Sequence, residues 1–219
     1  MLFSLVATTL AAASIAAAET ITVKVGGQGG APTFSPNNVT AKVNDVVVFQ
    51  FSGSPGNHTV TQSSLASPCE PIQGGFDSGW VAVPANVTDA SVAPTFALTI
   101  TNADVPIWYY CKQLNPKGPK PHCELGMVGV INLGSKSFEQ FTASAAAATT
   151  VGQSQGGLSG INAFATALPS PVAAGSSSGA PASSSSGAPG GDKKNGAVSF
   201  RAGGMVAGIA GVAAAALML

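Results

Sequence analysis

One thiol, one imidazole and one thioether follow in order along WYYCKQLNPKGPKPHCELGMVGVIN, residues 108–132, as Cys111, His122 and Met127. A second imidazole lies upstream at His58 in GNHTV, and the chain has no other histidine. Two imidazoles, a thiolate and a weak thioether make up the donor set of a trigonal copper site with a distant axial sulfur. That set is a compromise between the preferences of Cu(I) and Cu(II), so the chemistry it favours is gain and loss of a single electron. Taken singly, either histidine reads as a polar loop residue and Met127 as the core of a strand. The order His, Cys, His, Met, with the last three bracketing one loop, is what joins them.

Cysteine arithmetic points the same way. Three cysteines are an odd number, so in an oxidising compartment two can pair and one is left for other work. Cys123 follows His122 directly, and adjacent side chains tend to point apart, which makes Cys111 the better second donor. Cys69 in SPCEP and Cys123 then remain for a disulfide that braces the loop carrying His122. The other pairing, Cys69 with Cys111, would remove the thiolate.

The elements that must position these side chains read as short β-rich runs broken by Gly, Pro and Asn between Glu19 and Gly134. ITVKV at 21–25 alternates, and in VVVFQF Val47, Phe49 and Phe51 share one face. Further strands are predicted at Asn38–Lys42, Thr59–Gln62, Thr95–Thr101, Ile107–Cys111 and Met127–Asn132. About seven or eight strands in roughly 115 residues describe an all-β sandwich. After Gly134, SKSFEQFTASAAAATT reads as a short helix on its alanines. SSSGAPASSSSGAPGG then buries too little apolar surface to offset chain entropy, so 135–195 is expected to be a low-complexity, disordered stalk.

Both ends read as address labels. Residues 1–18 are apolar and finish in small residues, as a signal peptide does, so the mature chain is expected to begin at Glu19. MVAGIAGVAAAALML closes the sequence after a small-residue site and a short spacer, the pattern of a GPI-anchor signal over 196–219 with Asn195 as the attachment residue. The chain is therefore expected on the extracellular face of the plasma membrane or in the cell wall. Three N-glycosylation acceptors occur, at Asn38, Asn57 and Asn86. A glycan on Asn57 would crowd His58, so Asn38 and Asn86 are the expected sites of modification.

Other function classes find little support. Net charge is zero, with nine basic and nine acidic side chains scattered, so nothing argues for nucleic acid. There is no G-x-S-x-G elbow, and GGQGG at 26–30 lacks the Lys-Ser/Thr of a phosphate loop. An oxygen-reducing copper cluster needs many histidines, and two are present.

The segments FSPNNVTAKVNDVVVFQF, NHTV, PCEPIQGGFDSGW and WYYC…HCELGMVGVIN resemble the cupredoxins, most closely the phytocyanin-like proteins and their fungal, serine-rich, GPI-anchored relatives. The resemblance implies a Greek-key β-sandwich over 19–134 and one copper ion held by His58, Cys111, His122 and Met127. It also implies a Cys69–Cys123 disulfide and a single-electron carrier. With two histidines and a coordinatively closed ligand set, no substrate turnover is expected, and the chain is expected to act as a monomer with a redox partner that the residues do not identify. The alternative reading is a cell-wall structural, adhesive or copper-storage protein on the same scaffold. The ten residues KQLNPKGPKP between Cys111 and His122 form a longer loop than the family generally uses, and they place Lys112, Lys117 and Lys120 at the expected mouth of the site.

Overall fold

Alternation of apolar and polar side chains builds the sandwich. In β4 (Val46–Phe51), Val47, Phe49 and Phe51 are fully buried while Val46, Val48 and Gln50 are half-buried. The computed structural model describes residues 17–87, 89–115 and 118–170. Almost all of the expected signal peptide, the serine-rich stretch from 171 onward, Asn195 and the expected anchor signal at 196–219 lie outside the described residues.

Before β4 come β1 (Thr20–Val25), β2 (Phe34–Ser35) and β3 (Asn38–Val39). After it come β5 (Gly56–His58), β6 (Thr61–Ser63), β7 (Val81–Val83), β8 (Thr95–Ile100), β9 (Ile107–Tyr110) and β10 (Val128–Ile131). A helix, α1 (Phe138–Ala146), and a last short strand, β11 (Ala163–Phe164), complete the described fold. One sheet runs β11-β8-β4-β1-β2, the other β3-β10-β9-β6, and β5 pairs with β7 in a separate ribbon. The chain crosses repeatedly between the two sheets, which leaves β1 parallel to β4 and β3 parallel to β10. All seven predicted strands have a counterpart, but Asn38–Lys42 shrinks to Asn38–Val39 and Thr59–Gln62 shifts to Thr61–Ser63. β2, β5, β7 and β11 were not foreseen, because segments of two or three residues are too short to show a period of two.

Inward faces of the two sheets make the main core, with Phe96, Leu98 and Ile100 of β8 facing Tyr109 and Cys111. Trp108 and Tyr110 point the other way and would be exposed on a bare sandwich. They are covered by Phe141 and Ala145 of α1, so β9 is buried on both faces. The Trp108 and Phe141 rings lie 4.4 Å apart. Ser137 caps the helix by accepting a hydrogen bond from the Gln140 amide at 3.1 Å.

The folded region does not stop at the expected boundary of Gly134. Past α1 the chain returns across the sandwich as an irregular strap and ends in β11, which pairs with β8 through Ala163 opposite Ile100 and Phe164 opposite Thr99. Leu158, Ala163 and Ala165 pack on the main core, and the small and polar residues between are held by hydrogen bonds to side chains and backbone far away in sequence. Gln62 shows how: its Nε2 donates to the Ile161 carbonyl at 2.8 Å, and its Oε1 accepts from the Ile161 amide at 2.9 Å.

Candidate metal centre

The donors expected to share a metal are brought together from three parts of the chain. His58 ends β5, where its backbone is opposite Val81 of β7. Cys111 follows β9, and His122 returns from the long loop. The ligand atoms of the three lie within 4.8 Å of one another, and all three residues are buried. Cys111 Sγ is 3.9 Å from His58 Nδ1 and 3.6 Å from His122 Nδ1. Imidazole and thiolate bonds to a first-row ion are about 2.0 and 2.3 Å, so a trigonal site would separate sulfur from nitrogen by about 3.7 Å. The donor set fits one ion.

Met127 is fully buried in the same core cluster as Cys111. Its amide donates to the His122 carbonyl at 2.9 Å, and its carbonyl accepts from the Cys111 amide at 3.1 Å. The backbone of the thioether residue thus ties both neighbouring ligands together. The long loop is closed at its neck, where the His122 amide donates to the Gln113 carbonyl at 2.8 Å. Cys123 is disulfide-bonded to Cys69, with Cα atoms 5.8 Å apart, and Cys111 remains the free thiol. Extra loop residues are therefore added beyond a fixed neck and need not displace His122.

No family model matches this chain. Among curated proteins, it is 38% identical over 125 residues to a "Probable GPI-anchored cupredoxin-1" of Arthroderma benhamiae, a match covering 57% of each chain. It is 41% identical over 131 residues to an "Extracellular serine-rich protein" of the same fungus, covering 60% of this chain and 46% of that one. The chain thus spans about half the length of the curated relatives it matches. The chain is cupredoxin-like. A reduced auracyanin from Roseiflexus castenholzii overlaps at 15% identity and a TM-score of 0.34, over 53% of this chain and 97% of that one, too remote to carry an argument.

Burial sets the protonation of the three donors without metal. It pushes His58 down to about 4, helped by the neighbouring His122, and it also lowers His122. The same desolvation pushes the Cys111 thiol up to about 11, against hydrogen bonds from the Gln113 and Thr59 backbones. Of these, the Thr59 amide donates to Cys111 Sγ at 3.4 Å. At neutral pH the metal-free site is therefore two neutral imidazoles and a protonated thiol. It carries no net charge to hold in the apolar interior.

His58 lies against glycine. A Cβ on Gly56 would be 2.8 Å from His58 Nε2, and one on Gly26 would be 2.6 Å from it, at a backbone φ of +78° that also favours glycine. The run GGQGG gives no sign of this role, because nothing in it names the ring that Gly26 must accommodate. Gly56→Ala, whose Cβ would also meet the Gly53 carbonyl oxygen, is expected to shift the local backbone together with the His58 ring and lower metal affinity about 10- to 100-fold, the usual cost of disturbing a ligand's support. Competition for Zn2+ against a chelator would measure it; unchanged affinity would mean that the ring has room to spare.

Lys112 departs from expectation. Instead of lining the mouth of the site, its side chain is fully buried and ion-paired with an equally buried Asp77. Lys120 is about half exposed and lies 3.9 Å from Glu124. Lys117 is outside the described residues.

Proposed function

We propose that this protein binds one copper ion through His58, Cys111, His122 and Met127 and serves as an extracellular blue-copper carrier of single electrons. The observation that carries the reading is the buried grouping of Cys111 Sγ with two imidazole Nδ1 atoms at the spacing of a trigonal site. When bound, the ion would supply a one-electron couple with little change of shape. The chain's own part is to hold the donors rigid. The disulfide, the Gln113–His122 neck and the Met127 backbone bonds restrain the ligands, while the surrounding core keeps bulk water away. Burial of all three donors leaves little room for a substrate, which favours a carrier over an enzyme.

Surface attachment through a GPI anchor at Asn195 belongs to the same proposal. It rests on the terminal sequence and on the name of one relative. The proposal likewise keeps Asn57 unglycosylated, with sugar on Asn38 or Asn86. All three asparagines are exposed, and Asn57 stands directly before the buried His58. A glycan found on Asn57 by peptide mass mapping would contradict that assignment.

Visible absorption and EPR of the purified protein after one equivalent of Cu(II) test the central reading. An intense thiolate-to-copper band with narrow copper hyperfine splitting is expected, both lost in His122→Ala or Cys111→Ser. A colourless protein with an ordinary tetragonal copper signal would refute the electron carrier and favour a structural, adhesive or storage role.

A further inference from the structure

Lys112 follows the thiol directly, and nearly every polar group it has is engaged. Its amide donates to Thr59 Oγ1 at 2.9 Å, while the Thr59 amide donates to Cys111 Sγ. Its carbonyl accepts from Gln153 Nε2 at 2.9 Å. Its ammonium donates to Asp77 Oδ2, to the Ser154 carbonyl at 3.3 Å and to Gln155 Oε1 at 3.4 Å, and it lies 5.9 Å from the centre of the Trp80 ring.

Asp77 is held as tightly. Its Oδ1 accepts from the Gly79 amide at 2.8 Å, its Oδ2 from the Gly156 amide at 3.2 Å, and its own amide donates to the Gly157 carbonyl at 2.8 Å. Gln153, Ser154, Gln155, Gly156 and Gly157 all belong to the strap. A charged pair with no exposure is costly unless its remaining hydrogen-bonding capacity is filled, and the strap fills it. We propose that strap residues 153–157 and the buried Lys112–Asp77 pair form a positioning device for Cys111, fixing the backbone that directly follows the thiol and balancing the charge beside it. This extends the metal centre to a segment that does not itself ligate.

Only the charge-balancing half of the proposal rests on the copper reading, and two experiments on the full chain separate the halves. In metal-free protein, Gln153→Ala removes the strap's bond to the Lys112 carbonyl without touching a ligand or the ion pair. The expected result is labelling of Cys111 by dithiobis(nitrobenzoate) about fivefold faster, the equivalent of one hydrogen bond, with the unfolding midpoint little changed. An unchanged labelling rate would overturn the positioning role, whether or not the protein binds copper.

In copper-loaded protein, an electrode supplies or removes one electron, and the reduced centre carries one positive charge less than the oxidised one. Asp77→Asn leaves the lysine cation unbalanced and is expected to raise the midpoint potential. Lys112→Met leaves the carboxylate unbalanced and is expected to lower it. Shifts in the same direction, or none, would overturn the charge balance. If both variants fail to fold, Gln155→Ala, which removes one neutral acceptor from the ammonium, provides the test through a raised potential. A wild-type chain with no thiolate-to-copper band would instead defeat the copper reading alone, leaving the labelling result to stand.

Discussion

A chain ending at Gly134 is expected to lose cooperative folding, whereas one ending at Ser170 keeps it. The shorter chain lacks α1, whose fully buried Phe141 and Ala145 cover Trp108, Tyr110, Val128 and Val130. Each large apolar side chain left uncovered forfeits about 1.5–3 kcal/mol. It also loses β11, the bond from the Gly152 amide to the Cys69 carbonyl, and the strap groups that satisfy the Lys112–Asp77 pair. The ion pair keeps both partners but loses the strap groups that fill its remaining hydrogen-bonding capacity, which makes its burial unfavourable. A typical domain has only about 5–15 kcal/mol in total. Urea unfolding followed by circular dichroism would compare the two chains. A single sharp transition at the same midpoint in both would show that the segment after Gly134 is dispensable.

Metal affinity is expected to rise about tenfold per pH unit between pH 7 and pH 9, about 100-fold in all. The sign follows from which proton the metal displaces. His58 is already neutral above about 4, and His122 is shifted below its ordinary value, so neither imidazole gives up a proton in this range. Cys111 is pushed up to about 11 by burial, so each ion bound as a thiolate complex must expel one proton from the thiol. The slope should flatten only as the pH approaches that value. Zn2+ or Co2+ avoids redox chemistry with the thiol, and competition titrations in a series of buffers would measure the dependence. A flat profile would mean a thiol already ionised in the metal-free site. A slope of two would mean that another group also loses a proton.

The candidate donors and most of the sandwich are legible in the residues alone. Residue type decides whether a side chain can be a soft donor, and in a chain with two histidines the set His58, Cys111, His122 and Met127 leaves few alternatives. Strands such as β4 are legible because a half-buried strand must alternate, and the burial along Val46–Phe51 does so. The tertiary structure alone decided where the fold ends and what surrounds the thiol. The strap sequence VGQSQGGLSGI carries no apolar period, and it is held in part through contacts such as Gln153 to Lys112 and Ile161 to Gln62, 41 and 99 residues apart. Such bonds leave no local signature. Lys112 is the sharpest case: lysine ordinarily stays in water, and only the folded chain places Asp77, from 35 residues earlier, where its charge and the strap's carbonyls make burial of that lysine affordable.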